Sequence, residues 1–253
     1  NEQAWMLLNN TLFHFDQQLE GKKLSPFLNK RFISVSRSTE KKYFETFVCS
    51  LIEKYHVYAE GFEIKNHQHN ANPILKLNYH EEGDYHVQLQ FQYGPYIFSS
   101  GKDNKVNVRM EYNEEEDLYT FHRIKRSIVW EEKQTQIITD LGLERTHQYS
   151  NDLVPKELLG KRSSIFDWIS QNDTVLKEKG FEIIQDLAEK RFFIGQTSID
   201  ISINEDNDWF DIKAIAKFGP FEIPFIQLRH HILHNIKEFT LPNGEIAMIP
   251  EEW

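Results

Sequence analysis

Histidines, aspartates and basic residues are the side chains of this chain that could do chemistry, and their spacing decides which chemistry is open to them. His230 and His234 stand four apart on a predicted helix, hence on one face, with His231 beside His230 and with His67 and His69 in a distant loop. Zinc would need three or four such ligands to converge. The helix lacks the Glu of a His-Glu-x-x-His protease and no cysteine lies near, so a solvated helix face explains these residues with fewer assumptions. Asp206, Asp208 and Asp211 lack calcium-loop spacing and read as a turn entering a strand. An enzyme built on His230, His234 and Asp211 is the weakest reading, because no nucleophile pairs with a base. The expectation is a chain with no catalytic residue, no metal and no cofactor of its own.

Phosphate chemistry gets a similar answer. The Gly-Lys strings Gly21-Lys22-Lys23, Gly101-Lys102-Asp103 and Gly160-Lys161-Arg162 lack the earlier Gly and the following Ser or Thr of a phosphate-cradling loop. Two basic groups remain as candidate nucleic-acid contacts: Arg123, Lys125 and Arg126, and separately Lys190 and Arg191. Arg123 and Lys125 project from one side of a predicted strand behind Tyr119 and Phe121, an arrangement suited to base stacking with phosphate pairing. A solvated strand edge guarded by charge accounts for the same residues. The formal charge of −10 repels phosphate at long range and counts against autonomous DNA binding.

The elements that position these residues belong to a folded, aromatic-rich protein. In 253 residues, 40% are hydrophobic and 13% aromatic, enough to build a packed core, and the length favours two domains over one. The single cysteine, Cys49, sits among apolar helical positions and reads as a buried, inert thiol in a reducing, cytoplasmic compartment. No apolar run is long enough to span a membrane.

Along the chain, residues 1–28 leave the element type open. Residues 39–55 hold apolar side chains at helical spacing behind Thr39. Strands are predicted over 57–64, 74–79, 85–93, 106–112 and 119–124; Val87, Leu89, Phe91 and Tyr93 alternate with His86, Gln88, Gln90 and Gln92, giving one dry and one wet face. A helix over 127–141 ends at Gly142, and residues 145–160 read as a connection. A second helix opens at Ser164, three residues before Asp167, as a capping box does. A meander over 181–184, 191–195, 198–203 and 208–218 follows, then a helix from Pro224 and a hairpin around Pro242-Asn243-Gly244.

The fold class expected is α+β: two subdomains, residues 1–145 and 163–253, joined by 146–162, each a mainly antiparallel sheet packed with helices. Both halves run helix, Phe-Glu-Ile, sheet and Gly-Pro, through Phe62-Glu63-Ile64 to Tyr93-Gly94-Pro95 and through Phe181-Glu182-Ile183 to Phe218-Gly219-Pro220. That order reads as a diverged duplication, with chance identity of short strings as the alternative.

Several strings carry a resemblance. Trp209-Phe210-Asp211-Ile212, Ile223-Pro224-Phe225, the stretch Phe239 to Glu245 and Ile249-Pro250-Glu251-Glu252-Trp253 resemble the region preceding the motor in bacterial Swi/Snf-family (Snf-two type) helicases. Leu89 to Gly94 and Arg126 to Gly142 resemble its upstream sheet and helix. The resemblance implies a non-catalytic, helicase-associated amino-terminal region that positions or regulates an ATP-dependent motor on double-stranded DNA. ATP and Mg then belong to a motor lying after this region, towards which Phe239, Pro250 and Trp253 are expected to face. A free-standing protein- or ligand-binding module is the alternative, and unburied sheet edges leave a homodimer open.

Overall fold

The structure is a computed structural model that describes residues 4–8, 10–15, 32, 34–79, 85–101, 104–146, 151–158, 161–162, 164–186, 190–206 and 209–253. Of the strings singled out above, residues 21–23, 102–103, 160 and 208 lie outside the described residues.

In chain order the elements begin with β1 (Ala4–Leu8), β2 (Thr11–Phe15), α1 (Arg37–Tyr43), a π-helical turn (Phe44–Val48), α2 (Cys49–Lys54) and β3 (Phe62–His67). They continue with β4 (Ala71–Tyr79), β5 (Tyr85–Tyr93), β6 (Tyr96–Ser99), β7 (Val106–Asn113), β8 (Leu118–Lys125), α3 (Ile128–Asp140) and β9 (Leu143–Arg145). Next come β10 (Asp152–Pro155), β11 (Glu157–Leu158), β12 (Lys161–Arg162), α4 (Ile165–Glu178) and β13 (Glu182–Gln185). The last are β14 (Thr197–Asp206), β15 (Trp209–Phe218), β16 (Phe221–Pro224), α5 (Phe225–Leu233), β17 (Glu238–Thr240) and β18 (Ile246–Met248). This is an α+β chain of several mainly antiparallel sheets, as the sequence predicts.

Contacts group the chain into two units: residues 1–64 with 108–121, and residues 65–107 with 122–253. The grouping runs otherwise than the expected division at 146–162. Inside that span β10 pairs with both β5 and β9, and beyond it β13 pairs in parallel with β4, Glu182 opposite Ile74. Residues from both sides of the expected connection therefore build one sheet, in the order β13-β4-β5-β10-β9 with β6 on the remaining part of β5.

In the first unit, the helix expected over 39–55 forms with one irregularity. Between α1 and α2 the π turn occurs where Thr46 donates its hydroxyl hydrogen to the Lys42 carbonyl at 2.7 Å, a back-bond that competes with the regular ladder. Its apolar face still packs: Val48 and Ile52 are buried with Val108, Tyr119 and Phe121, and Phe44 meets the Tyr119 ring edge-on at 4.7 Å. Burial pushes the half-buried Cys49 thiol up to about 11, so it stays protonated and weakly nucleophilic at neutral pH. Residues 1–28, left open by the sequence, supply the β1–β2 hairpin.

The second unit has two cores. The larger lies on the six-stranded sheet, where Val87, Leu89, Phe91 and Tyr93 are buried beside Leu75, Leu77 and the α4 residues Ile165, Trp168, Ile169 and Leu176. Ser164 caps α4 as expected, while the reciprocal half differs from a capping box: Ser164 Oγ accepts from the Asp167 amide at 3.1 Å and donates to the Asp167 carboxylate at 2.7 Å. The wet face of β5 departs from expectation at its start, because His86 is buried near Asp152 on β10, and Gln88 donates to that same carboxylate at 2.7 Å. The smaller core collects Ala216, Phe218, Ile223, Leu228, Leu241, Ala247 and Ile249 from β15, β16, α5 and the β17–β18 hairpin. Of the expected meander, β14-β15-β16 forms; β13 leaves it for β4, and residues 191–195 contribute one bridge, Phe192 to Ile246.

The Gly-Pro corners both close two-residue hairpins, Tyr93 opposite Tyr96 and Phe218 opposite Phe221. Gly94 and Gly219 hold φ of 59° and 54°, which suits the first central position of a primed turn, with Pro following. The corners match while the sheets carrying them differ in order and neighbours, so the likeness between the halves is local. At Gly94 a Cβ would also lie 2.9 Å from the His69 ring. Gly94→Ala is expected to cost at least about 1–2 kcal/mol from the left-handed backbone alone, read as a lowered urea midpoint with an unchanged denaturant slope.

Candidate functional site

Strand β8 ends in the basic group Arg123, Lys125 and Arg126, and the three side chains meet different environments. Arg126 is 3% exposed. Its Nε and Nη2 donate to the two carboxylate oxygens of Glu131 at 2.9 and 2.5 Å, and Glu131 is itself 4% exposed in the first turn of α3. Tyr93, at the end of β5, donates its hydroxyl to Glu131 Oε1 at 2.6 Å and accepts from the Ser127 amide at 2.9 Å. Burial, and then that donation to a carboxylate, push the Tyr93 phenol far above its ordinary range. The Arg126 guanidinium also lies over the Phe98 ring, 5.1 Å from its centroid. Arg126 is therefore a structural cation whose charge is matched inside the protein, and the sequence offered only its spacing to Glu131 as a signal. Lys125 is exposed, and Arg123 is half-buried with Nη1 3.4 Å from the Asn66 amide oxygen.

Histidines gather beside this strand in a way the sequence did not indicate. His67, at the end of β3, places Nε2 2.9 Å from Nδ1 of His122 on β8, and its ring stacks on that of His69 at 5.6 Å. Tyr96 packs against both His67 and His122. Burial, with His122, His69 and Lys65 nearby, lowers the His67 pKa. His230 and His234 stack at 4.3 Å on one face of α5, and His231 turns to meet Phe239. Among the described residues, no three His, Cys, Asp or Glu side chains are grouped to hold a metal ion. Asp211 lies in β15 opposite Asn204.

The second basic pair is held by carboxylates. Lys190 meets Glu238 at 2.8 Å and Arg191 meets Glu245 at 3.2 Å, so both brace the β17–β18 hairpin. Trp253 is half-buried rather than left open, with its ring 5.5 Å from Phe218 and 6.2 Å from Phe225. Phe239 joins the smaller core, and Pro250 lies with Trp253 along a cleft of about 300 Å³. What this region does leave open is apolar: a groove of about 680 Å³ between β15 and α5, lined by Ala214, Ile215, Phe225, Ile226 and Leu233, with Lys213 and Arg229 at hand. Ile226 and Leu233 are both 68% exposed, and Ile201 and Ile203 on β14 are exposed as well. Single exposed apolar residues are ordinary, but four of this size in one region mark a surface suited to contact.

No helix among the described residues is long and apolar enough to cross a membrane. Residues 1–241 match the family described as bacterial SNF2 helicase associated, and the chain belongs to that family. No curated protein and no solved structure matches the chain.

Two measurements probe the site. Glu131→Ala leaves Arg126 buried without its partner and is expected to cost about 3–5 kcal/mol in denaturant unfolding, while Tyr93→Phe costs about 1–2 kcal/mol through lost bonds to Glu131 and Ser127. The lowered His67 pKa means the unfolded chain binds this proton more readily than the folded one. Its contribution to stability is complete above the unfolded value of about 6.5 and is lost as the pH falls through the folded value. Unfolding midpoints taken from pH 8 down to pH 5 should decline, and His67→Gln should flatten that decline.

Proposed function

We propose that this chain is the non-catalytic accessory region of an SNF2-type DNA-dependent ATPase, positioning or regulating the motor on double-stranded DNA. The match of residues 1–241 to the helicase-associated family carries the reading. Two observations support it: the sequence has no phosphate-cradling loop, and among the described residues an open apolar groove lies between β15 and α5, suited to contact with protein. ATP and Mg would then serve the motor, and the motor would be the partner in cis, in the cytoplasm where the DNA is. Of the five cations considered, Lys125 is exposed and has no carboxylate partner among the described residues, and it is the one best placed to touch DNA. Lys190 and Arg191 are already paired with Glu238 and Glu245, and Arg126 turns Nε and Nη2 to Glu131 inside the protein. The same groove is the observation that favours the second reading, a free-standing protein- or ligand-binding module.

ATPase turnover separates the two. The protein that contains this region together with its motor should hydrolyse ATP faster with duplex DNA, and deleting residues 1–253 should change either the rate or its dependence on DNA. A complete protein without ATPase activity would end the helicase reading and leave the binding module.

A further inference from the structure

We propose that the cleft where β8 passes into α3 is a binding site for a phosphate group. The cleft has a volume of about 510 Å³ and is lined by His69, Asn70, Lys125, Arg126, Ser127 and Trp130, among others. Two buried polar atoms of these residues have no hydrogen-bond partner, Arg126 Nη1 and His69 Nε2. A buried donor left unsatisfied costs about 1–3 kcal/mol, so the unpaired Nη1 marks a place where an acceptor is missing. Glu131 occupies Nε and Nη2 but leaves the hydrogens on Nη1, and the Phe98 ring under the guanidinium supplies no lone pair.

Three further features point to an anion rather than to a neutral ligand. Lys125, exposed and with no carboxylate partner among the described residues, brings a positive charge to the cleft. Ser127 begins the 13-residue helix α3 without using its side chain as a cap, and the leading amides of a helix have no partner within it. None of the residues lining the cleft is acidic. A guanidinium edge, an ammonium group and a helix start offer donors from three separate groups, which suits the several oxygens of a tetrahedral oxyanion. The cleft exceeds the size of one phosphate, and Trp130 provides a wall for whatever the phosphate is attached to. The overall charge of −10 opposes such a ligand only weakly, because ionic screening acts within about 8–10 Å at 0.1–0.15 M salt while these donors act on contact.

This site does not depend on the motor and is tested on the chain itself. Titration calorimetry with inorganic phosphate, in chloride buffer at constant ionic strength, should give saturable binding at one site. Lys125→Gln should weaken it at least about tenfold with no change in melting temperature without phosphate. Arg126→Lys keeps a charge facing Glu131 and removes Nη1, and should weaken it similarly. A second arm compares a short single-stranded oligonucleotide bearing a 5′-phosphate with its 5′-hydroxyl counterpart. Preference for the phosphorylated end, lost in Lys125→Gln, places the group on nucleic acid, while binding of inorganic phosphate alone places it on a small molecule. Absence of saturable binding in both arms, or equal affinity in Lys125→Gln and the unaltered chain, overturns the proposal.

Discussion

Arg126 and Glu131 share a space from which water is excluded, and three elements are committed to it: the end of β5 through Tyr93, the end of β8 through Arg126, and the start of α3 through Glu131 and Ser127. Removing two charges from water costs several kcal/mol for each, so such a pair adds little net stability even with bidentate geometry. Its effect is on specificity. A shift of β8 by one residue would turn Arg126 out of the interior and leave Glu131 buried alone, and Tyr93 would lose both of its partners. The hydrophobic sheet beneath tolerates small rearrangements more readily than this junction does, so the junction sets the register in which β5, β8 and α3 meet.

That arrangement bears on how the basic residues are used. Of five cations that a reading of the sequence treats alike, Arg126, Lys190 and Arg191 face carboxylates, and they brace either the start of α3 or the β17–β18 hairpin. These three charges are matched within the protein, while the open surface near α5 is apolar.

Much of the local structure was legible in the sequence because it follows local rules. Alternation in β5, the Ser164–Asp167 cap, Pro224 ahead of α5 and the Asn-Gly turn all appear where spacing places them. Pairings between distant strands carry no such signature. Nothing in Glu182 to Gln185 says that this segment lies parallel to β4 instead of continuing into β14, and a four-residue β10 inside an apparent linker looks the same as a loop. The grouping of His67, His69 and His122 was illegible for the same reason, since β3 and β8 bring them together from separate parts of the chain. Arg126 shows the limit for side chains: a basic residue two positions past the buried Ile124, at the end of a strand, reads as surface until the helix that follows supplies Glu131.

The parallel pairing of β13 with β4 also governs the order in which the molecule is completed. As the chain is synthesised, β4 emerges about a hundred residues before β13, and β5 follows close behind β4. Until Glu182 to Gln185 arrive, the edge of β4 carries unpaired amides and carbonyls beside the apolar Ile74, Leu75 and Leu77. An open edge of that composition invites pairing with a neighbouring chain. Cutting the protein at the apparent linker would make that temporary state permanent, so residues 1–145 are a poor choice of independently expressed fragment although the sequence marks them as a domain.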